Sequence, residues 1–504
     1  MEGSQHSDMS STVPTPIAAA GPARGKVTDV RVTRAELYLL PVETRIPLKF
    51  GTETLTSVTC ARVRLTVRDR KGRTAVGWGE TPLSVQWVWP SEISYAVRHT
   101  ALEHFCRQLV SAWVEAELIG HPIEVGTAFL QRHLPKLRAR FNERVPGGEG
   151  MPHLAALVCC SPFDIALHDA FGNLVSQPIY QTYNGQYMNH DLATLLGDSQ
   201  IGHSAATNGA PTLASNQDFK GKYPSDFLRE QRLTTLPVWH LVGGLDPLDD
   251  SELTGNEPQD GEPLVLQDWI QRDGLKCLKI KLRGNNSQWD YQRLVRVGRI
   301  AIQNNVEHLT TDFNCTVHDP AYVQQVLDRL QREERAIYDR VLYVEQPFPY
   351  DLQAHPIDVH ELAARKPLLM DESADSWEQV RLGQSLGWNG VALKTCKTQS
   401  GALLSLCWAR AHGMHLMVQD LTNPMLAQIP HVQLAAHAHT MVGVESNAMQ
   451  FYPEASRAES EVHPGIYARR QGVLDLTSIT GPGFGYRIDE IQRELPPQAA
   501  HAPR

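Results

Sequence analysis

Three acidic and three basic residues in the second half of the chain have the types and spacing to do chemistry together: Asp312, Glu345 and Asp371, flanked by Lys279 and Lys281 before them and Lys394 after. Three carboxylates brought into one small space repel one another, so they require a cation. Oxygen-only ligation favours a hard ion, and Mg²⁺ suits a site that keeps positions for water or substrate oxygens. Any one of these acids alone would read as a helix N-cap following a strand; three in consecutive units read better as one site. Side chains alternate along a strand, so Lys279 and Lys281 share a face. Their neighbours Cys277, Leu278, Ile280 and Leu282 make the segment too apolar for a solvated edge. A lysine confined near another cation has its pKa lowered and can act as a base near neutral pH. Lysines on opposing strands would address opposite faces of a planar intermediate.

The elements that must position these groups are legible as short apolar runs, each ending in charge: KCLKIKL, EHLTTDF, VLYVEQP, PLLMDE, GVALKT and HLMVQD, preceded by LPVWHLVG. Lys279, Asp312, Glu345, Asp371, Lys394 and Asp420 mark successive strand ends at intervals of 33, 33, 26, 23 and 26 positions, each fitting one βα unit. Strands alternating with helices predict a parallel sheet with right-handed crossovers. Seven or eight such units close most economically as a barrel with its site at the C-terminal strand ends. Upstream, VTDVRVTRAELYLLPV and ARVRLTVRDRKGRTAVGWGE alternate as strands of an antiparallel sheet, with a turn at Arg70-Lys71-Gly72. Helical spacing over 91–137 and 154–174 completes an α+β unit. The expected division is a disordered tail at 1–26, a capping domain with linking helices at 27–183, a polar Gly/Ser/Asn-rich insertion at 184–234, a barrel at 235–448, and a C-terminal segment at 449–504 returning to the cap.

Composition narrows the partners. The chain has 504 residues and a formal net charge of −9 with no Lys/Arg block, which leaves no electrostatic footprint for nucleic acid. No run approaches 18 uncharged apolar residues, so no membrane partner is expected. The eight cysteines form no CxxC, which argues against a zinc site or a disulfide framework. The first 26 residues lack the basic start and apolar stretch of a secretory signal, and a cytoplasmic location is expected.

The segments KIK (Lys279–Lys281), DFN (Asp312–Asn314), VEQP (Val344–Pro347), MDES (Met370–Ser373) and LKTCKTQSG (Leu393–Gly401) resemble, in order and spacing, the motifs of the muconate-lactonizing group of the enolase superfamily. VRVTRAELYLLPV and IPLKFGTETLTS resemble the start of that family's capping domain and its mobile loop. SPFDIALHDAFGNLVSQPIY resembles its linking helix, and GVLDLTSITGPGFGYRIDE its C-terminal strands that return to the cap. The resemblance implies an α/β fold, a (β/α)₇β TIM-like barrel under an α+β N-terminal capping domain. It implies Mg²⁺ held by Asp312, Glu345 and Asp371, with Lys281 and Lys394 as the acid/base pair. Lys279 would polarise the substrate carboxylate and tune Lys281, Asn314 would support Asp312, and Glu372 would face away from the ion. Asp420 would touch the base or the substrate. The reaction implied is abstraction of a proton α to a carboxylate through an enediolate, in a racemase, epimerase or cycloisomerase. A sugar-acid dehydratase on the same scaffold and a catalytically inactive binding protein are the alternatives. The expected partners are a small carboxylate substrate and further copies of the chain in a homo-oligomer. The insertion, and VQDLTNPM where the family is commonly Gly/Ser-rich, bear on substrate identity rather than on the lysine and metal positions.

Other signals read as structural. His412 and His415 fall at a helix end and strand start, away from the site, and His437 and His439 have helical apolar neighbours. GPGFG reads as a turn, and the acidic stretch 249–262 as a solvated loop. Trp87, Trp89 and the loop from Leu48 to Ser57 either close over the substrate or pack against the barrel.

Overall fold

The computed structural model describes residues 25–50, 53–144, 149–197 and 219–503. Residues 1–24 of the expected tail and 198–218 of the expected insertion lie outside the described residues. The insertion's described flanks are built into the fold: the Leu192 N–H donates to the Lys222 carbonyl (2.8 Å), and the Asn189 N–H to Glu124 Oε1 (2.6 Å).

An antiparallel sheet of order β13-β1-β2-β3 forms from β1 (Val30–Phe50), β2 (Glu53–Asp69), β3 (Thr74–Pro82) and the C-terminal β13 (Ala500–Pro503). The turn from β2 to β3 sits where Arg-Lys-Gly predicts it, with Gly72 at φ +85°, a conformation that costs glycine little. Period-two alternation sorts the strands' side chains onto two buried faces. Val30, Val32, Ala35 and Leu37 of β1, with Ala61, Val63 and Leu65 of β2, join the main core, while Tyr38, Leu40, Val42 and Cys60 pack with Met425, Phe451 and Tyr452.

Helices Tyr95–Glu115 and His153–Val175 lie on the first face. By length and composition the second could cross a membrane, but it is wholly buried. It approaches β3 so closely that a Cβ on Gly77 would stand 2.1 Å from the Ala170 nitrogen, and one on Gly79 2.1 Å from the Pro162 oxygen.

The second sheet holds eight parallel strands in the order β10-β9-β8-β7-β6-β5-β4-β11. These are β4 (Thr235–Val242), β5 (Cys277–Lys281), β6 (His308–Asp312), β7 (Val341–Glu345), β8 (Leu368–Met370), β9 (Gly390–Leu393), β10 (His415–Val418) and β11 (Val444–Glu445). A helix follows each of the first seven. The sheet is curled, because side chains from non-adjacent strands meet inside it. The rings of Trp239 on β4 and Tyr343 on β7 lie 5.7 Å apart, in a layer shared with Cys277, Leu369 and Met417. At the sheet's two edges, the Met441 N–H just before β11 donates to the Leu416 carbonyl of β10 (2.8 Å).

The C-terminal segment divides between the two sheets. β12 (Val473–Asp475), from the run expected to return to the cap, pairs antiparallel with β4 of the curled sheet, Val473 opposite Pro237. The rest of that run does meet the capping unit, the Phe484 N–H donating to Asp169 Oδ1 (2.9 Å) and the Ile179 N–H to the Gly483 carbonyl (2.8 Å), and at β13 Pro503 stands opposite Arg34 of β1.

Candidate active site

Parallel register brings the tips of β5 to β8 to one level: Lys281 stands opposite Asp312, Asp312 opposite Glu345, and Glu345 opposite Leu369, with Asp371 just beyond the end of β8. Gln346 sets the loop after β8, its side-chain oxygen accepting from the Asp371 N–H (2.8 Å) and the Ser373 hydroxyl (2.7 Å). After β6, Asn314 and Cys315 take positive φ (+49° and +62°), unusual for residues other than glycine. That turn folds Asn314 back so that its N–H and side-chain amide both donate to Asp312 Oδ1 (2.9 Å each). Lys394 follows β9 on a short 3₁₀ turn, Thr395–Lys397, pinned by the linking helix: the Ser161 hydroxyl donates to the Thr395 carbonyl (2.8 Å), and the Ser400 N–H to Asp164 Oδ2 (2.8 Å).

All six predicted lysines and acids meet in this region, each carboxylate against an ammonium group. Lys281 Nζ donates to Asp312 Oδ2 and, at 2.9 Å, to Asn314 Oδ1. Lys279, 2% exposed, lies 3.1 Å from Asp312 Oδ2, 2.5 Å from Glu345 Oε1 and 3.0 Å from Glu445 Oε2. Lys394 Nζ stands 3.1 Å from Asp371 Oδ2 and donates to the Asp420 backbone carbonyl (3.0 Å). Asp420 thus meets the lysine through its carbonyl, while its carboxylate accepts from the Asn447 N–H (2.9 Å). Glu372 is buried and turns toward the cap, accepting from the Trp87 indole N–H (2.8 Å). Trp87 therefore does reach the site, and its ring centroid is 5.1 Å from Lys394 Nζ. Trp89 is buried against the cap. His437 stacks on Tyr180 at 3.8 Å between ring centroids, and His412 caps a helix C-terminus, both structural as expected.

Electrostatics correct one expectation. Burial pulls the Lys279 ammonium down, but Glu345, Glu445 and Asp312 outweigh it and hold its pKa well above the ordinary lysine value. Lys394 is likewise raised, burial being outweighed chiefly by Asp371. The lowering predicted from neighbouring cations fails for these two because carboxylates stand closer to them than other lysines do. Burial raises the Asp312 and Asp371 carboxyls less than the lysines lower them, and both end below the usual range. Glu345 goes the other way: burial, with Asp312, Asp371 and Glu445 nearby, drives it well up against the pull of Lys279.

Two groups escaped the sequence reading. Lys397, 3% exposed, lies 3.2 Å from Asp371 Oδ1; it stands in LKTCKTQSG, but on a turn where strand alternation gives no face. Glu445 closes a strand of only two residues, with no apolar run to announce it.

Among the described residues, no group of three or more His, Cys, Asp or Glu is disposed around a common point as an ion cage. The donor set nonetheless fits a hard divalent cation, being oxygen-only and borne on adjacent strand tips. A cation on Asp312, Glu345 and Asp371 would compete with the lysines for them, removing the cause of the raised lysine pKa values.

Comparison with known proteins bears on the fold that carries this arrangement. Residues 265–492 match the family described as enolase C-terminal domain-like. No curated relative matches the chain in sequence. Among solved structures, the N-succinyl Arg/Lys racemase from Bacillus cereus ATCC 14579 superposes with a TM-score of 0.56 at 17% identity, over 94% of this chain and 99% of that one. The L-Ala-D/L-Glu epimerase from Bacillus subtilis gives 0.57 at 18% identity with the same coverages, 94% and 99%. The muconate lactonizing enzyme from Mucobacterium Smegmatis gives 0.54 at 15%, over 93% and 97%. From just before β5 onward the chain thus matches the enolase C-terminal domain-like description, and along nearly its whole length it shares the fold of these solved structures.

Proposed function

We propose that this chain is an isomerase that removes the proton α to a substrate carboxylate and returns a proton to the same carbon, as a racemase or epimerase. The observation that carries this reading is the placement of Lys281 and Lys394. They stand at the tips of β5 and β9, four strands apart in a curled sheet of eight, with Asp312, Glu345 and Asp371 on the three strands between. We read the sheet as the (β/α)₇β barrel, in which strands four apart face each other across the mouth. Mg²⁺ held by Asp312, Glu345 and Asp371 would supply positive charge to the substrate carboxylate and stabilise the enediolate.

The chain's own residues do the rest. One lysine, as the free amine, takes the α-proton, and the electron pair of the C–H bond passes into the carboxylate. The opposite lysine, as the ammonium, delivers its proton to the other face, leaving the α-carbon inverted and the protons balanced. Asn314 orients Lys281, and the carbonyl of Asp420 orients Lys394. Trp87 covers Lys394 and its neighbour Lys397 from the cap, and excluding water there strengthens the interaction of Lys394 with charge developing on the substrate.

Racemases and epimerases among the structural neighbours support acylated amino acids or dipeptides as the substrate class, and the dipeptide epimerases solved with Mg support the metal. Eight free cysteines, seven of them buried, fit a reducing, cytoplasmic setting.

The test is deuterium uptake. The protein is incubated in D₂O with acylated amino acids, dipeptides, lactones and sugar acids, with Mg²⁺ or with a chelator, and each compound is followed by mass spectrometry. Uptake of one deuterium at the α-carbon, abolished by the chelator, is expected for at least one compound. Absence of exchange across the panel would defeat the proposal.

A further inference from the structure

At the end of the curled sheet opposite the strand tips lies a cavity of about 770 Å³, lined by Tyr180, Leu228, Arg232, Gln433, His437 and Ile479 among others. Its position follows from the chain. Helix Gln428–His437 runs back from the end of β10, and its last turn meets the residues leading into β4: the Leu233 N–H donates to the Ala436 carbonyl (3.0 Å) and the Arg229 N–H to the His437 carbonyl (2.8 Å). The stretch from Ser225 to Arg232, the C-terminal flank of the insertion, closes one side.

Three polar groups on the walls lack partners among the described residues. Arg232, half-buried, donates through Nη2 to the Ile479 carbonyl (2.7 Å), but its Nη1 is buried with no acceptor, and burial lowers its pKa with no acid opposing it. Gln433, 6% exposed, donates through its amide nitrogen to the Phe484 carbonyl (3.1 Å), which leaves its Oε1 without a donor. The His437 ring stacks on Tyr180 and shares Nδ1 with the Gln433 carbonyl (2.8 Å). A carbonyl only accepts, so Nδ1 carries the proton and Nε2 presents a lone pair. Burial, with Arg232 beside it, pushes this imidazole down to about 4 and keeps it neutral at ordinary pH.

These groups ask for opposite things. The guanidinium needs an acceptor, while the amide oxygen and the ring nitrogen each need a donor, and Ile179, Leu228 and Ile479 around them are apolar and buried. Water can serve any one of them; a single molecule bearing a carboxylate, an ammonium and an apolar stem serves all of them at once. We infer that this cavity is a binding site for a free α-amino acid with an apolar side chain. The carboxylate sits on Arg232, and the ammonium donates to His437 Nε2 and Gln433 Oε1, with the exposed Glu230 at the rim supplying the opposite charge. The side chain lies against Leu228 and Ile179. The site is separate from the strand-tip lysines and stands whether or not they abstract a proton.

The test needs no turnover. L-Leucine, L-methionine and L-phenylalanine are titrated calorimetrically into the full chain, each beside two half-analogues, the carboxylic acid without the amino group and the amine without the carboxylate. At least one amino acid is expected to bind, at least about tenfold more tightly than either of its half-analogues. Arg232→Gln should weaken that amino acid by at least about tenfold and leave the amine unchanged. His437→Phe, which keeps a ring to stack on Tyr180, should lose the preference for the amino acid over the carboxylic acid. Lys394→Ala should bind as the parent does. Unfolding melts of the unliganded variants establish that they are folded, and either cavity variant alone decides the matter. Binding by none of the three amino acids, a carboxylic acid held as tightly as its amino acid, or affinity lost in Lys394→Ala and kept in Arg232→Gln would overturn the inference.

Discussion

Lys279 touches three carboxylates from a position almost sealed from solvent, and each of them lies on a different strand. Removing one partner of a buried ion pair leaves the other charge without compensation, at about 3–5 kcal/mol. Lys279→Met should therefore lower unfolding stability in chelator by about that amount, read by urea denaturation. Mg²⁺ should return part of the loss, since an ion bound only by the folded chain adds about 2.7 kcal/mol at a hundred times its dissociation constant. If Mg²⁺ does not stabilise the variant, the carboxylates are not its ligands. The same residue shows what the sequence disclosed and what it withheld. Lys279, Asp312 and Glu345 were legible because each ends or lies in an apolar run whose period fixes its face. Glu445, which completes the set around Lys279, was not, because a two-residue strand has no period to read. Lys397 was hidden for a related reason: it lies on a turn, and only folding brings it to Asp371.

Among the elements, the linking helix carries more of the site than its distance suggests. It supports β3 of the cap on one side and holds the Lys394 turn through Ser161 and Asp164 on another. Contact with β3 depends on two glycines whose absent side chains let strand and helix backbones meet. Gly79→Ala would force them apart, and overpacking of this kind costs about 1–3 kcal/mol. The expected result is a melting temperature lowered by a few degrees, with exchange activity reduced as the cap and Trp87 shift. An unchanged melting temperature would show that the contact is not tight. Seven parallel strands, the cap hairpin and both long helices were predictable from alternation and helical spacing, which are local signals. The pairing of β12 with β4 was not, since which sheet a short apolar run joins depends on where the chain has already gone.

At the level of the whole molecule, the two ends of the described chain are tied together, β13 to β1, and Gln498 donates to Glu36 Oε1 (3.0 Å) and to the Tyr38 hydroxyl (3.2 Å). Deleting residues 498–504 would leave β1 as an open sheet edge, a template for pairing between chains. Increased aggregation by light scattering is the expected outcome, and a monodisperse, equally stable truncation would speak against it. The cap meets the loop after β4 through Arg45 and Asp260 (2.9 Å), the C-terminal segment through a buried Arg62 and Glu459 (3.0 Å), and the strand-tip region through Trp87 and Glu372 (2.8 Å). What that structure is for can be decided by following each enantiomer of a substrate separately in D₂O with Mg²⁺, in the parent chain and in Lys281→Ala and Lys394→Ala. The parent should exchange the α-proton of both enantiomers; each variant should lose exchange from one enantiomer, a different one in each case, and lose racemisation by at least about 10²–10⁴-fold. Racemisation that persists in both variants, or exchange lost from the same enantiomer in each, would contradict two lysines acting on opposite faces of one carbon.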